Sequence, residues 1–140
     1  MTKKIFLTSS DTAIGFVSKD AKSLDNAKNR IPNKKYITAL PSLKSIKKRV
    51  PKKYKNLVRR ANKTTFILSK DFSFRVIKDK RHLLLINRLG WAYTTSANKS
   101  NEDYNYNYAY LNADIIVYPL KNKNPSKIFK IGKSRVKRIR

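Results

Sequence analysis

Read for its alternation of apolar and polar positions, the chain falls into short strands separated by a few helices. Lys4-Ile5-Phe6-Leu7-Thr8 is an apolar run that enters a hydroxyl-rich turn, Ser9-Ser10-Asp11-Thr12. Gly15 follows, then a polar segment in which residues 24–28 can make one or two helical turns. Tyr36-Ile37-Thr38-Ala39-Leu40 has the aromatic and β-branched content of a second strand. After it, Ser42 is placed to cap a helix with Leu43, Ile46 and Val50 on one face, and beyond Pro51 a second helix runs through Tyr54, Leu57 and Val58. Residues 64–68 and 73–77 read as strands, and the short polar turn between them implies an antiparallel pair. Asp79 is placed to cap a further helix, expected to be the most buried, whose Leu83, Leu84, Leu85, Ile86 and Leu89 precede a stop at Gly90. Further strands are expected over 114–118, 126–131 and 135–139. Mixed strands with interspersed helices predict an α/β domain built on a twisted, mixed parallel/antiparallel sheet.

One stretch stands apart. Trp91-Ala92-Tyr93-Thr94-Thr95-Ser96-Ala97-Asn98 is an apolar strand that breaks into small hydroxyl and amide side chains. Such donors at the carboxyl edge of an open α/β sheet are where ligands bind. The plainer reading is a polar turn after an edge strand.

Charge changes the picture most. Among 140 residues, 34 Lys and Arg face 8 Asp and Glu, a formal net charge of +26. No acidic residue occurs from Asn26 to Lys70, and none follows Asp114. A field of that sign opposes compaction and attracts polyanions, so nucleic acid or a phosphorylated ligand is the expected partner class. The two helices after the second strand would present Lys47, Lys48, Arg49, Arg59 and Arg60 on their polar faces, suited to a nucleic-acid backbone rather than to bases. Asn and Tyr alternate over 101–110, and these aromatics either stack on bases or form a loosely helical cover.

The chain has no cysteine, which removes disulfides and thiolate metal sites, and one histidine, His82, which reads as structural or surface. Scattered carboxylates do not compose a built-in metal site. The short apolar run near the N-terminus is not a signal peptide, and no stretch has membrane-spanning length, so a soluble cytoplasmic protein with no membrane partner is expected. Arg75 lies inside an apolar strand, where a charge is costly unless it faces an anion or solvent.

In order along nearly the whole chain, several segments resemble the YrdC-like family, which includes threonylcarbamoyl-adenylate synthases. Ser9-Ser10-Asp11-Thr12 with Gly15 is similar to a Pro-Thr-Asp-Thr turn followed by Gly; Lys28, Arg30 and Lys34 are similar to Lys-x-Arg with a later Lys. Thr65 keeps the threonine of a Gly-Pro-x-Thr motif, Phe74-Arg75-Val76 is similar to Val-Arg-Val, and Thr94-Thr95-Ser96-Ala97-Asn98 to Ser-Thr-Ser-Ala-Asn. Pro125-Ser126-Lys127-Ile128 is similar to Pro-Ser-Thr-Ile, and Arg138 to a late arginine. Departures include Ser9-Ser10 for Pro-Thr, Ile14 for a tyrosine at the amino-acid pocket, and Asn62-Lys63 for Gly-Pro.

The resemblance implies a single YrdC-like domain over residues 1–140 with a concave basic surface. It implies conversion of ATP, L-threonine and bicarbonate to threonylcarbamoyl-adenylate and pyrophosphate, for modification of an adenosine in tRNA by downstream enzymes. Lys28, Arg30, Lys34, Ser96, Asn98 and Arg138 would hold the nucleotide phosphates; Thr12, Thr65, Arg75 and Ser126 would hold the threonine and carbamate. Mg²⁺ would arrive with ATP. The alternative is a non-catalytic member of the same fold that binds double-stranded RNA, tRNA or the ribosome.

Overall fold

The computed structural model describes residues 3–31, 35–121 and 123–140. Its strands are β1 (Phe6–Ser9), β2 (Ile14–Ser18), β3 (Ile37–Leu40), β4 (Thr64–Ser69), β5 (Phe72–Val76), β6 (Ala92–Ser96), β7 (Ile115–Val117), β8 (Lys127–Ile131) and β9 (Val136–Arg138). The helices are α1 (Ala21–Lys28), α2 (Lys55–Arg60), α3 (Lys80–Leu89) and α4 (Tyr106–Leu111). All nine strands join one sheet in the order β7-β1-β2-β6-β3-β5-β4-β8-β9. β1 with β7, β3 with β5 and β4 with β8 run parallel, and the other neighbours run antiparallel. This is the mixed α/β sheet expected from the pattern.

Pleating sends alternate residues to opposite faces. Leu7, Phe16, Leu40, Phe66, Phe74 and Val76 point to one face. There α1 and α4 bury Leu24, Ala27 and Ala109 over β1 and β2, while α2 and the segment leading to it bury Val58, Leu43 and Val50 over β3, β4 and β5. Phe74 lies 5.8 Å from Phe66, and Phe66 lies 6.1 Å from Phe129, a stacked aromatic row across neighbouring strands. On the other face α3 covers only part of the sheet, packing Ile86 against Val17, Ala39 and Ala92. The rest of that face borders a cleft beside α3, with Arg75, in register with Ala39, buried at its floor. Arg75 therefore stands in an apolar strand because its neighbours Phe74 and Val76 face the core and it faces the opposite way.

Three expectations change. The stretch read as polar after Gly15 contains β2, buried along its whole length between β1 and β6. Gly15 is required there, because a Cβ would stand 2.8 Å from the Thr95 carbonyl. The expected helix from Ser42 to Val50 is only a single 3₁₀ turn, Leu43–Ser45, followed by irregular chain. Ser42 makes no cap bond, and Lys44 with Lys47 and Lys48 would place like charges at i,i+3 and i,i+4 on a helix. So Leu43 and Val50 reach the core from a strap. Finally, α3 is not the most buried helix: Leu84 is 73% exposed, since four consecutive apolar residues point to every side of a helix.

The capping signals at α3 are realised. The Asp79 side chain accepts from the Arg81 and His82 amides, and Gly90 ends the helix at φ 83°. No described helix is long and apolar enough to cross a membrane.

Candidate active site

The open part of the α3 face is a cleft of about 390 Å³ at the ends of β2, β3, β6 and β8. Its walls carry the hydroxyls of Ser10, Thr12, Thr94, Ser96 and Ser126 and the cations Arg30, Lys35, Arg75 and Arg140; no carboxylate lines it among the described residues.

The floor is a chain of polar contacts crossing five segments of the chain. Arg75 donates from Nη1 to Asp11 Oδ1 at 3.3 Å and to Thr12 Oγ1 at 2.7 Å, and from Nε to Thr65 Oγ1 at 3.2 Å. Thr65 Oγ1 pairs with Ser126 Oγ at 2.8 Å, and Arg140 reaches Ser126 from the far side, Nη2 to Oγ at 3.3 Å and Nε to the carbonyl at 2.9 Å. Burial pulls the Arg75 guanidinium below its ordinary value and Asp11 opposes that pull; an arginine so placed still carries its charge. Ser10 shapes the turn, accepting the Thr12 amide at 3.0 Å.

Arg30 enters the cleft because α1 ends in a left-handed turn at Asn29, with the Arg30 amide returning to the Asp25 carbonyl at 3.0 Å. Its guanidinium lies 4.9 Å from the Tyr36 ring, and its buried Nε has no hydrogen-bond partner among the described residues. The Tyr36 hydroxyl is pushed up to about 12 by burial and by its hydrogen bond to Asp25 Oδ1 at 2.6 Å.

The structure thus brings Thr12, Arg30, Arg75, Ser96 and Ser126 to one cleft and places Thr65 directly beneath it. Lys28 and Asn98 are placed differently. Lys28 is buried, and its ammonium donates to the carbonyls of Ser96 and Asn98 at 2.8 Å each and to Asn98 Oδ1 at 3.1 Å, so it braces the loop after β6 from behind. Asn98 in turn donates to the Lys99 and Glu102 carbonyls. Lys34, with Pro32, lies outside the described residues. Ile14 packs in the hydrophobic core, and Tyr36 is the tyrosine at the cleft.

Arg138 points away, its guanidinium 5.9 Å from the Phe129 ring. The late arginine at the cleft is Arg140, and a bulge puts it there. The amides of both Ile139 and Arg140 bond to the Ile128 carbonyl, at 2.7 and 3.2 Å. Two residues against one turn Arg140 to the cleft side that Ile128 lines. Tyr36 was legible only as the start of a strand, and nothing local in the sequence separates Arg140 from Arg138.

Behind Arg75 stands His82, 2% exposed, with neither ring nitrogen hydrogen-bonded among the described residues. Burial lowers its pKa from 6.5; Asp11 opposes this and Arg75 adds to it.

A second concavity, about 760 Å³, lies between the strap, α2 and the start of α3. It has an aliphatic floor of Leu43, Ile46, Val50, Val76 and Leu83 and a rim of Lys44, Lys48, Arg49, Lys55, Arg59 and Lys78. Lys48, Arg49 and Arg59 of the expected RNA-contacting set line it, while Lys47 and Arg60 are exposed outside it.

No family model matches the sequence, and no curated protein matches it. Solved structures do. P. abyssi Sua5 complexed with L-threonine superposes with a TM-score of 0.84 at 18% identity, over 99% of this chain and 50% of that one. E. coli YciO gives 0.76 at 12% identity, over 99% of this chain and 82% of that one. The MTH1692 protein from Methanobacterium thermoautotrophicum gives 0.66 at 18% identity, over 91% and 75%. The fold is YrdC-like. The YrdC-like chain spans about half the length of the Sua5 protein it matches.

Two stability predictions follow from this geometry. Lys28→Met removes the donor shared by three acceptors at the loop after β6 and is expected to lower the unfolding free energy in urea by about 3 kcal/mol or more. His82 has a depressed folded pKa, so the unfolded chain binds its proton first as pH falls below 6.5. Stability is then complete above that pH and lost on the way down to the lower folded value. Urea midpoints compared at pH 7.5 and pH 5 should show this loss, and His82→Leu should flatten it.

Proposed function

We propose that this chain is an L-threonylcarbamoyladenylate synthase-like nucleotidyltransferase. ATP, L-threonine and bicarbonate would give threonylcarbamoyl-AMP and pyrophosphate, and the activated group would pass to an adenosine of tRNA through a downstream enzyme. The observation that carries the reading is the convergence of Arg30, Lys35, Arg75 and Arg140 on a hydroxyl-walled cleft with no lining carboxylate among the described residues. Threonine nitrogen and bicarbonate condense to a carbamate with loss of water. A carbamate oxygen then attacks the α-phosphorus, and the bond to the β-phosphate oxygen breaks. Such a step needs fixed positive charge around phosphate oxygens more than it needs an acid–base pair.

Arg30, Lys35, Ser96 and Arg140 form the phosphate side of this reading, with Lys28 and Asn98 holding the Ser96 loop in shape. Thr12, Thr65, Arg75 and Ser126 form the amino-acid side, where Arg75, charged and buried, suits a carboxylate or carbamate. The solved Sua5 complex with L-threonine supports threonine as the amino acid. In this reading Mg²⁺ would enter as its ATP complex.

The test is pyrophosphate release by the purified chain with ATP, bicarbonate and Mg²⁺. Release that depends on threonine is expected, and Arg140→Ala or Arg30→Ala should weaken ATP by about tenfold, the value of one charge-assisted hydrogen bond. Absence of threonine-dependent release would overturn the reading.

A second reading, an RNA-binding role, is favoured by the basic concavity. Its six rim cations are met by no carboxylate in the lining, which suits a tRNA or double-stranded RNA backbone. Reversing Lys48 and Arg49 to Glu should weaken RNA and flatten its salt dependence by about two phosphate contacts while leaving ATP binding unchanged. Equal loss of both ligands would show that the two concavities are not separate sites.

A further inference from the structure

Three arginines reach the cleft, and two of them are fixed by hydrogen bonds: Arg75 to Asp11, Thr12 and Thr65, and Arg140 to Ser126. Arg30 is held in another way. Its amide donates to the Asp25 carbonyl at 3.0 Å, and its guanidinium lies 4.9 Å from the centre of the Tyr36 ring. The Tyr36 hydroxyl in turn donates to Asp25 Oδ1 at 2.6 Å. Asp25 therefore constrains Arg30 twice, once through the backbone and once through the tyrosine. Tyr36 is itself fixed, 6% exposed and with the Tyr93 ring 6.4 Å away. Burial and the bond to Asp25 push its hydroxyl up to about 12, so it remains a donor at neutral pH. With Asp25 Oδ1 engaged by the tyrosine, no ion pair among the described residues includes Arg30, and its buried Nε has no hydrogen-bond partner among them.

We propose that Asp25 and Tyr36 are positioning residues that hold Arg30 as a fixed cation whose donors stay free for a ligand phosphate. A long guanidinium left mobile loses rotamer freedom when a ligand orders it, which weakens binding. A carboxylate paired with it would also order it, but would occupy its donors and repel the incoming phosphate. An aromatic face orders it by cation–π attraction and leaves the N–H groups unengaged. The tether to Asp25 keeps that face in place. This role deepens the nucleotide reading proposed above and rests on it for the identity of the anion, whereas the ordering of Arg30 is measurable with no nucleotide present.

Asp25 gives the test its sign. Electrostatics alone predict that removing a carboxylate close to Arg30 strengthens the binding of an anion. Positioning predicts the reverse. By calorimetry, Asp25→Ala should weaken the Mg²⁺ complex of ATP about fivefold, the value of re-ordering one long side chain on binding. Asp25→Asn, which keeps an oxygen for the tyrosine, should restore the affinity. Tyr36→Leu should lose the same factor, and combined with Arg30→Ala it should bind no worse than Arg30→Ala alone, because the tyrosine acts through the arginine. In the ligand-free protein, nitrogen-15 relaxation at Arg30 Nε should report an ordered side chain in the wild type and in Asp25→Asn, and a mobile one in Asp25→Ala and Tyr36→Leu. If buried Tyr36 does not tolerate leucine, the two variants at half-buried Asp25 decide the matter by themselves. An Arg30 already mobile in the wild type would sink the proposal. So would a wild type that binds no ATP, an Asp25→Ala variant that binds it as tightly or more so, or additive losses in the double variant. If these effects on ATP appear without threonine-dependent pyrophosphate release, the synthase reading fails and the positioning of Arg30 stands.

Discussion

The contact on which the cleft depends is the buried pair of Arg75 and Asp11. Both side chains are almost fully enclosed, 8% and 4% exposed, and they stand 3.3 Å apart. A guanidinium this deep is tolerable only when its donors are spent on fixed acceptors, and here Asp11, Thr12 and Thr65 supply them. The same bonds tie the turn after β1 to β5 and β4, and Thr65 carries the chain on to Ser126 and Arg140. Holding one charge therefore fixes the relative positions of segments far apart in sequence. His82 closes the back of the arrangement as a neutral ring, which avoids a second buried cation beside Arg75.

The protein manages an unusually large positive charge by concentrating its binding potential in two separate concavities. In the cleft the cations are few and interleaved with hydroxyls, with Arg75 and Arg140 hydrogen-bonded in place. In the second concavity they ring an aliphatic floor and are mostly solvent-exposed. The first arrangement suits a small ligand whose phosphates must be held in one geometry, and the second suits a backbone bound by charge with little demand on geometry. Residues 100–120, which hold no Lys or Arg, build the edge strand β7 at the opposite end of the sheet from the β8–β9 hairpin, and α4.

The buried ammonium of Lys28 shows how a residue can serve a site without facing it. It donates to the Ser96 carbonyl at the end of β6 and to Asn98 in the loop that follows, so the geometry of Ser96 at the cleft rests on a cation on α1. The resemblance implies that Lys28 and Arg30 both hold the nucleotide phosphates. The left-handed turn at Asn29 separates them, sending Arg30 into the cleft and leaving Lys28 behind the loop.

Local pattern was enough for most strands, for the Asp79 and Gly90 boundaries of α3, and for the hairpin of β4 and β5. Each of these depends on residues within a few positions of one another. The motif order pointed to the fold and to Thr12, Arg30, Arg75, Ser96 and Ser126, which the sheet gathers into one cleft. What sequence alone left undecided depends on long-range register. Ile14–Ser18 is a strand because two neighbours hydrogen-bond it, not because its own alternation says so. Residues 42–50 form a strap because their apolar side chains reach the core without a helix that like charges would oppose. Arg140, rather than Arg138, meets the cleft because one bulge against Ile128 reverses which way the last residues face, and the pairing of β8 with β9 decides that.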